Sequence, residues 1–174
     1  MKTLHKKKPF RLYNVLFPIW MLMWFPVLWI VLIPANFLID FLVTRFTMKH
    51  LLLEDYHERA WKHSWKICLI GFLSDFVGAV FLFAVYCYAD RIFPKELAHI
   101  VTYGLNLQPF NHILTFAVAA LSILLSGLCI YFLNRKMLSK DPSLDKKSVH
   151  VIARNLALIT APYLFLFPSG ILYR

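Results

Sequence analysis

Two ionisable side chains lie deep inside long apolar runs: Asp75 in run 67–89 and Arg154 in run 149–173. A charge near the bilayer centre costs about 2.5–3.5 kcal/mol on insertion scales, so each needs a partner, water or a neutral state. If both runs start at the same membrane face, Asp75 is about nine residues deep and Arg154 about six, a difference of about 5 Å at helical rise. An arginine spans that gap. The spacing predicts an intramembrane Asp75–Arg154 ion pair, acting as a clamp on helix register or as a proton or ion relay. The alternative is Arg154 reaching lipid phosphate while Asp75 stays neutral.

The neighbours of these residues are small. Gly71, Ser74, Asp75 and Gly78 stand at i, i+3, i+4 and i+7 and share one helix face. Run 110–133 carries Thr115, Ala119, Ser122 and Ser126, and run 149–173 carries Arg154, Ala157 and Ala161 at the same kind of spacing. Small residues let helix backbones approach, so the three stripes are expected to meet in one bundle core.

Other chemistry finds little support. Asp40, beside Asn36 near the exit of the first run, reads as interfacial. Around Asp40 and Asp75 the Gly-x-Gly-Asp and Tyr-Asp patterns of intramembrane aspartyl proteases are missing, and there is no His-Glu-x-x-His, Gly-x-Ser-x-Gly or Gly-rich phosphate loop. His50, Glu54 and His57 share a helical face with metal-ligand spacing, but without a fourth ligand they read as a solvated polar face. A lipid-headgroup transferase would need an acidic pair near the basic interface. Asp55 and Glu58 are available, yet each has an i,i+4 basic partner, Arg59 and Lys62, and reads as half of a surface ion pair. No catalytic residue, metal or cofactor is expected.

The elements that must position Asp75 and Arg154 follow from four apolar runs, 12–43, 67–89, 110–133 and 149–173, in a chain that is 60% hydrophobic with mean hydropathy +0.62. Such runs predict an all-α integral membrane protein folded as a single membrane domain over 1–174. Run 12–43 carries Pro18, Pro26 and Pro34, which argues against one straight helix. It is expected to be a re-entrant helical hairpin bending at Phe25-Pro26, the alternative being one long, kinked and tilted span, with the other three runs crossing. Residues 46–66, with Trp61 and Trp65 beside a basic face, read as an amphipathic helix on the inner leaflet. The first run is too long for a signal peptide and is expected to be retained. Cys68, Cys87 and Cys129 read as small buried apolar residues.

Charge placement motivates the hairpin. Lys and Arg cluster at 2–11, at 45–66 and at 135–147, five in each stretch, whereas Arg91 and Lys95 alone separate the middle runs. A hairpin puts all three clusters on the cytoplasmic side, against Arg91, Lys95 and Arg174 outside, as the positive-inside rule favours. The net charge of +10 then faces anionic lipid headgroups. Nucleic acid is a poor partner, since no recognition module accompanies the charge.

Phe17-Pro18-Ile19-Trp20, Trp24-Phe25-Pro26 and Ile33-Pro34-Ala35-Asn36-Phe37-Leu38-Ile39-Asp40, followed by Trp65-Lys66 and Gly71-Phe72-Leu73-Ser74-Asp75-Phe76-Val77-Gly78, resemble small uncharacterised membrane proteins of Gram-positive integrative conjugative elements. The resemblance covers about half the chain, implies a role beside a conjugation apparatus and brings no catalytic residues. The expectation is therefore a multi-pass protein of the cell membrane serving as a non-catalytic accessory or scaffolding subunit of a larger complex or homo-oligomer. The alternatives are an oligomeric channel or transporter component using Asp75 and Arg154, and a lipid-modifying enzyme.

Overall fold

The computed structural model describes residues 26–168, with side chains from Ile30 onward. The elements are α1 (Pro26–His50), α2 (Tyr56–Ile92), α3 (Lys95–Leu107), a 3-10 turn (Pro109–Asn111), α4 (Ile113–Leu138), α5 (Lys146–Ile159) and a second 3-10 turn (Tyr163–Leu166). No strand occurs among the described residues. Four helical segments are long and apolar enough to cross a membrane: Ile30–His50, Tyr56–Ile92, Ile113–Leu138 and Lys146–Leu166.

The expected hairpin bend falls at the edge of this description. Phe25 lies outside the described residues, and Pro26 opens α1, whose first turn has no need of the missing proline donor. From there α1 continues through Pro34 as one 25-residue helix. The expected amphipathic helix over 46–66 does not form as one unit. Its first residues finish α1, a turn with left-handed backbone at Leu52 and Asp55 (φ 55° and 51°) reverses the chain, and the rest opens α2. That turn also places His50 and His57 on different helices.

α2 has 37 residues and is about 55 Å long at helical rise, well beyond an apolar layer of about 30 Å. Its first turns therefore project past that layer. They carry Trp61 and Trp65, whose rings pack on Phe37 of α1 at centroid distances of 5.6 and 4.7 Å. Beside them, His63 Nε2 meets Asp141 Oδ2 at 2.9 Å, and Arg59 donates to the Ser143 carbonyl at 3.2 Å. These bonds tie the start of α2 to the α4–α5 turn.

Run 149–173 is expected as one helix, but α5 ends at Ile159. Pro162 cannot donate and disfavours helical backbone at Ala161, so the chain bends and resumes as a single 3-10 turn. At the other end Asp145 caps α5 by accepting from Lys147 N and Ser148 N.

Two apolar clusters hold the bundle. One joins α1, α2, α4 and α5 through Phe41, Ile67, Ile130, Ile152 and Leu156. The other joins α2, α3, α4 and the C-terminal turn through Ala79, Leu82, Val101, Ile123 and Phe165. On α2 the buried members pass from Ile67 in the first cluster to Ala79 in the second, with Phe72 and Phe76 already packed against the second; on the fourth segment they pass from Leu156, with Ala157 beside it, to Ala161. Asp75 lies between Phe72 and Phe76, and Thr160 just before Ala161.

Candidate functional site, an acidic cavity between α1, α2 and the broken fourth segment

The side of α1 that packs inward runs through Asp40, Phe41, Thr44, Thr47 and Met48, a helical stripe. Asp40 is its first fully enclosed member, at 3% exposure. One turn after Asn36 and facing α2, it is covered by protein. The cover includes Gly71, where an added Cβ would stand 3.4 Å from Asp40 Oδ2. With no side chain at 71, the Asp40 carboxylate reaches the α2 backbone one turn before Asp75. Nearby, the Cys68 thiol donates weakly to the Ile33 carbonyl at 3.8 Å, holding α1 and α2 together on the same side.

Asp40 and Asp75 share a cavity of about 560 Å³. Its walls come from α1 (Leu32, Asn36, Ile39), from α2 (Gly71, Phe72) and from Ile159–Pro168, with Phe110 at the edge. No Lys, Arg or His is among the lining residues. Asp75 Oδ1 is buried without a hydrogen-bond partner. The end of α5 opens on the same space: Ile159 and Thr160 line it, with Thr160 held by N–H and hydroxyl bonds to the Leu156 carbonyl at 2.8 and 2.9 Å. The C-terminal end of a helix carries about half a negative charge. Two carboxylates and a negative helix end thus converge on one pocket.

The expected ion pair does not form. Arg154 is exposed, and the only ion pair among the described residues is His63–Asp141. The cause is helical phase. α5 buries Val149, Ile152, Ala153 and Leu156, and Arg154 points away from that stripe. Its neighbour Asn155 does reach inward, donating to Thr47 Oγ1 of α1 at 3.2 Å.

The small residues are brought together in pairs of helices. Gly71, Ser74 and Gly78 are buried on α2, and Ala119, Ser122 and Ser126 on α4. The Ser122 hydroxyl donates to the Gly78 carbonyl at 2.9 Å, and a methyl group at 78 would overlap the Ser126 hydroxyl. Ala157 and Ala161 face Gly127 of α4, where an added Cβ would lie 3.5 Å from the Ala157 carbonyl and 3.9 Å from Ala161 Cβ. Of the cysteines, Cys68 is buried but Cys87 is exposed and Cys129 half-buried, so the outward-facing thiol departs from the expected burial.

Among the described residues no three His, Cys, Asp or Glu side chains gather as metal ligands. Outside the apolar layer, Asp141 is held below the ordinary carboxylate range, first by the Ser143 hydroxyl and N–H, which donate at 2.6 and 2.9 Å, and then by His63. Asp145 is shifted the same way, chiefly by Ser148.

Sequence reasoning missed the partnership of Asp40 with Asp75 and the role of Thr160. The signals were there in Asn36–Asp40 and Gly71–Asp75, two i,i+4 pairs, and in Ala161-Pro162 as a helix stop. Comparison with family models, with curated proteins and with solved structures finds no match.

Proposed function

We propose that this chain is a cation-handling subunit of a membrane assembly, binding a positive charge between Asp40 and Asp75. The observation that carries the proposal is the buried, unpartnered Asp75 oxygen in a cavity that has two carboxylates and, among the described residues, no basic side chain. Buried charges persist where they are paired, hydrated or used, and a cation from outside the chain supplies the missing partner. This is the channel or transporter-component alternative with its site moved: Asp40 takes the place that Arg154 held in the sequence expectation, and the sign of the ligand follows. A single copy offers four crossing segments, so conduction would come from a homo-oligomer or a larger complex.

The basic residues favour one orientation. The α1–α2 and α4–α5 turns, with ten Lys and Arg on or beside them, face the cytoplasm, and α3, with Arg91 and Lys95 near it, faces outward. The cell membrane is the proposed location. Whether run 12–43 turns back at Phe25-Pro26 belongs to the same proposal, because a hairpin returns the basic tail to the cytoplasmic side.

A purely scaffolding subunit, conjugation-related on the resemblance above, is the second reading. Its support is the stripe Leu121, Leu124, Leu128 and Phe132 on α4, exposed at i, i+3, i+7 and i+11 and suited to a partner helix or to lipid. The two readings part on one experiment. In proteoliposomes, wild-type chain should dissipate an imposed proton or monovalent-cation gradient faster than empty vesicles. The Asp40→Asn/Asp75→Asn double variant should fall back to the empty-vesicle rate. Wild-type vesicles no leakier than empty ones would leave scaffolding as the function, and flux that ignores the double substitution would overturn the Asp40–Asp75 site.

A further inference from the structure

Resting on the cation-site reading, we infer that the occupant is an organic cation with an apolar body, of the ammonium or phosphonium class, in place of a bare inorganic ion. Size is the first reason. A cavity of about 560 Å³ falls within the range of about 300–1,000 Å³ that accepts drug-sized molecules, far more than a dehydrated metal ion fills.

Hydrogen-bonding capacity is the second. Hard inorganic cations take about six or more oxygen ligands, commonly from several carboxylates, carbonyls and waters. Beyond Asp40 and Asp75, the lining side chains that offer oxygen are Asn36, Thr160 and Tyr163. The Thr160 and Tyr163 hydroxyls donate to the Leu156 and Leu158 carbonyls, so neither proton is turned toward a bound cation. The remaining wall is aliphatic and aromatic. A cation that carries its charge under a hydrocarbon surface needs no coordination shell. It gains from charge attraction at the carboxylates, from apolar burial, and from aromatic faces such as Phe72 and Phe110.

Position is the third. Both carboxylates lie within apolar crossing segments, and half-exposed apolar residues of the fourth segment, Tyr163 and Leu164, stand at the cavity rim. A ligand partitioned into lipid meets the site from the side.

The test uses full-length chain in lipid nanodiscs and equilibrium dialysis with tetraphenylphosphonium, alongside tetraphenylborate, which has the same shape and the opposite charge. Wild type should bind the phosphonium saturably and the borate without saturation. Asp75→Asn and Asp40→Asn should each weaken phosphonium binding at least tenfold, Asp75→Glu should restore it to within about threefold, and Arg154→Gln should match wild type. Each variant is first checked for the wild-type elution profile and helical circular dichroism, and the Asp75→Asn/Asp75→Glu comparison carries the result if Asp40→Asn does not fold. Equal binding of the borate, or phosphonium binding unchanged by Asp75→Asn, overturns the inference. If no phosphonium binds while carboxylate-dependent ion flux persists in proteoliposomes, the organic-cation inference is overturned and the cation-handling reading stands. Loss of both sinks both.

Discussion

Asp75 and Arg154 show how a single step of helical phase decides the fate of an intramembrane charge. The depth calculation that pairs them treats a helix as a ruler, whereas a side chain also has a direction. Arg154 follows Ala153, a buried residue, by one position, a rotation of about 100° at 3.6 residues per turn. It therefore leaves the interface that Ala153 and Leu156 occupy. Exposed and outside any ion pair, Arg154 contributes little to folding, and Arg154→Gln should change unfolding stability by no more than about 0.5 kcal/mol. Chemical denaturation in detergent micelles reads this directly. A loss of about 3–5 kcal/mol, the scale expected when one partner of a buried pair is removed, would mean that Arg154 does meet Asp75. Asp40 illustrates the opposite case. Its depth is shallow enough for an interfacial guess, but it shares a face with Phe41 and Thr44, and that face turns inward.

The helices themselves were legible where hydrophobicity and length agree. Run 67–89 lies inside α2, and run 110–133 falls in α4 from Ile113 onward, its first residues forming the 3-10 turn and the helix cap. Three things were hidden. α2 continues eleven residues before its apolar run, because Tyr56–Lys66 has good helix formers and no stop signal between it and Ile67. The fourth segment breaks at Ala161-Pro162, although its hydropathy runs on without interruption. The tie between α2 and the α4–α5 turn joins residues 78 positions apart, which no local pattern announces. That tie has a pH signature. Asp141 is held below its ordinary value near 3.9, so its contribution to stability is complete above about pH 4 and disappears as pH falls through the lower folded value. The melting temperature of wild type should therefore drop further between about pH 5 and pH 3 than that of Asp141→Asn. Parallel drops would show that the hydrogen bonds Asp141 accepts from Ser143 and His63 contribute nothing.

On the scale of the whole molecule, the chain has a strong positive charge and keeps it away from one place. The described Lys and Arg residues gather mostly around turns and helix ends, while among the described residues the cavity between α1, α2 and the fourth segment has two carboxylates and no base. The division follows from packing. Two apolar clusters close the bundle at different levels, and the space between them is where α1 supplies Asp40, α2 supplies Asp75 and the interrupted fourth segment supplies a helix end. The stripes of small residues bring α2 and α4 close one turn beyond Asp75, so Gly78 and Ser122 act as scaffold for the site. Sequence alone could name the stripes and one of the carboxylates. It could not show that the second carboxylate, a glycine and a proline-terminated helix assemble around the same volume, since that depends on three helices meeting in register.

Infrared difference spectroscopy on lipid-reconstituted protein tests that central claim most directly, because it watches the carboxyl groups themselves. Adding tetraphenylphosphonium, sodium or protons to wild type should change the carboxyl and carboxylate stretching bands for at least one of these cations, and Asp40→Asn/Asp75→Asn should lose that change. Identical difference spectra from wild type and double variant would contradict the account, since the cavity would then be a packing gap with two idle acids in it.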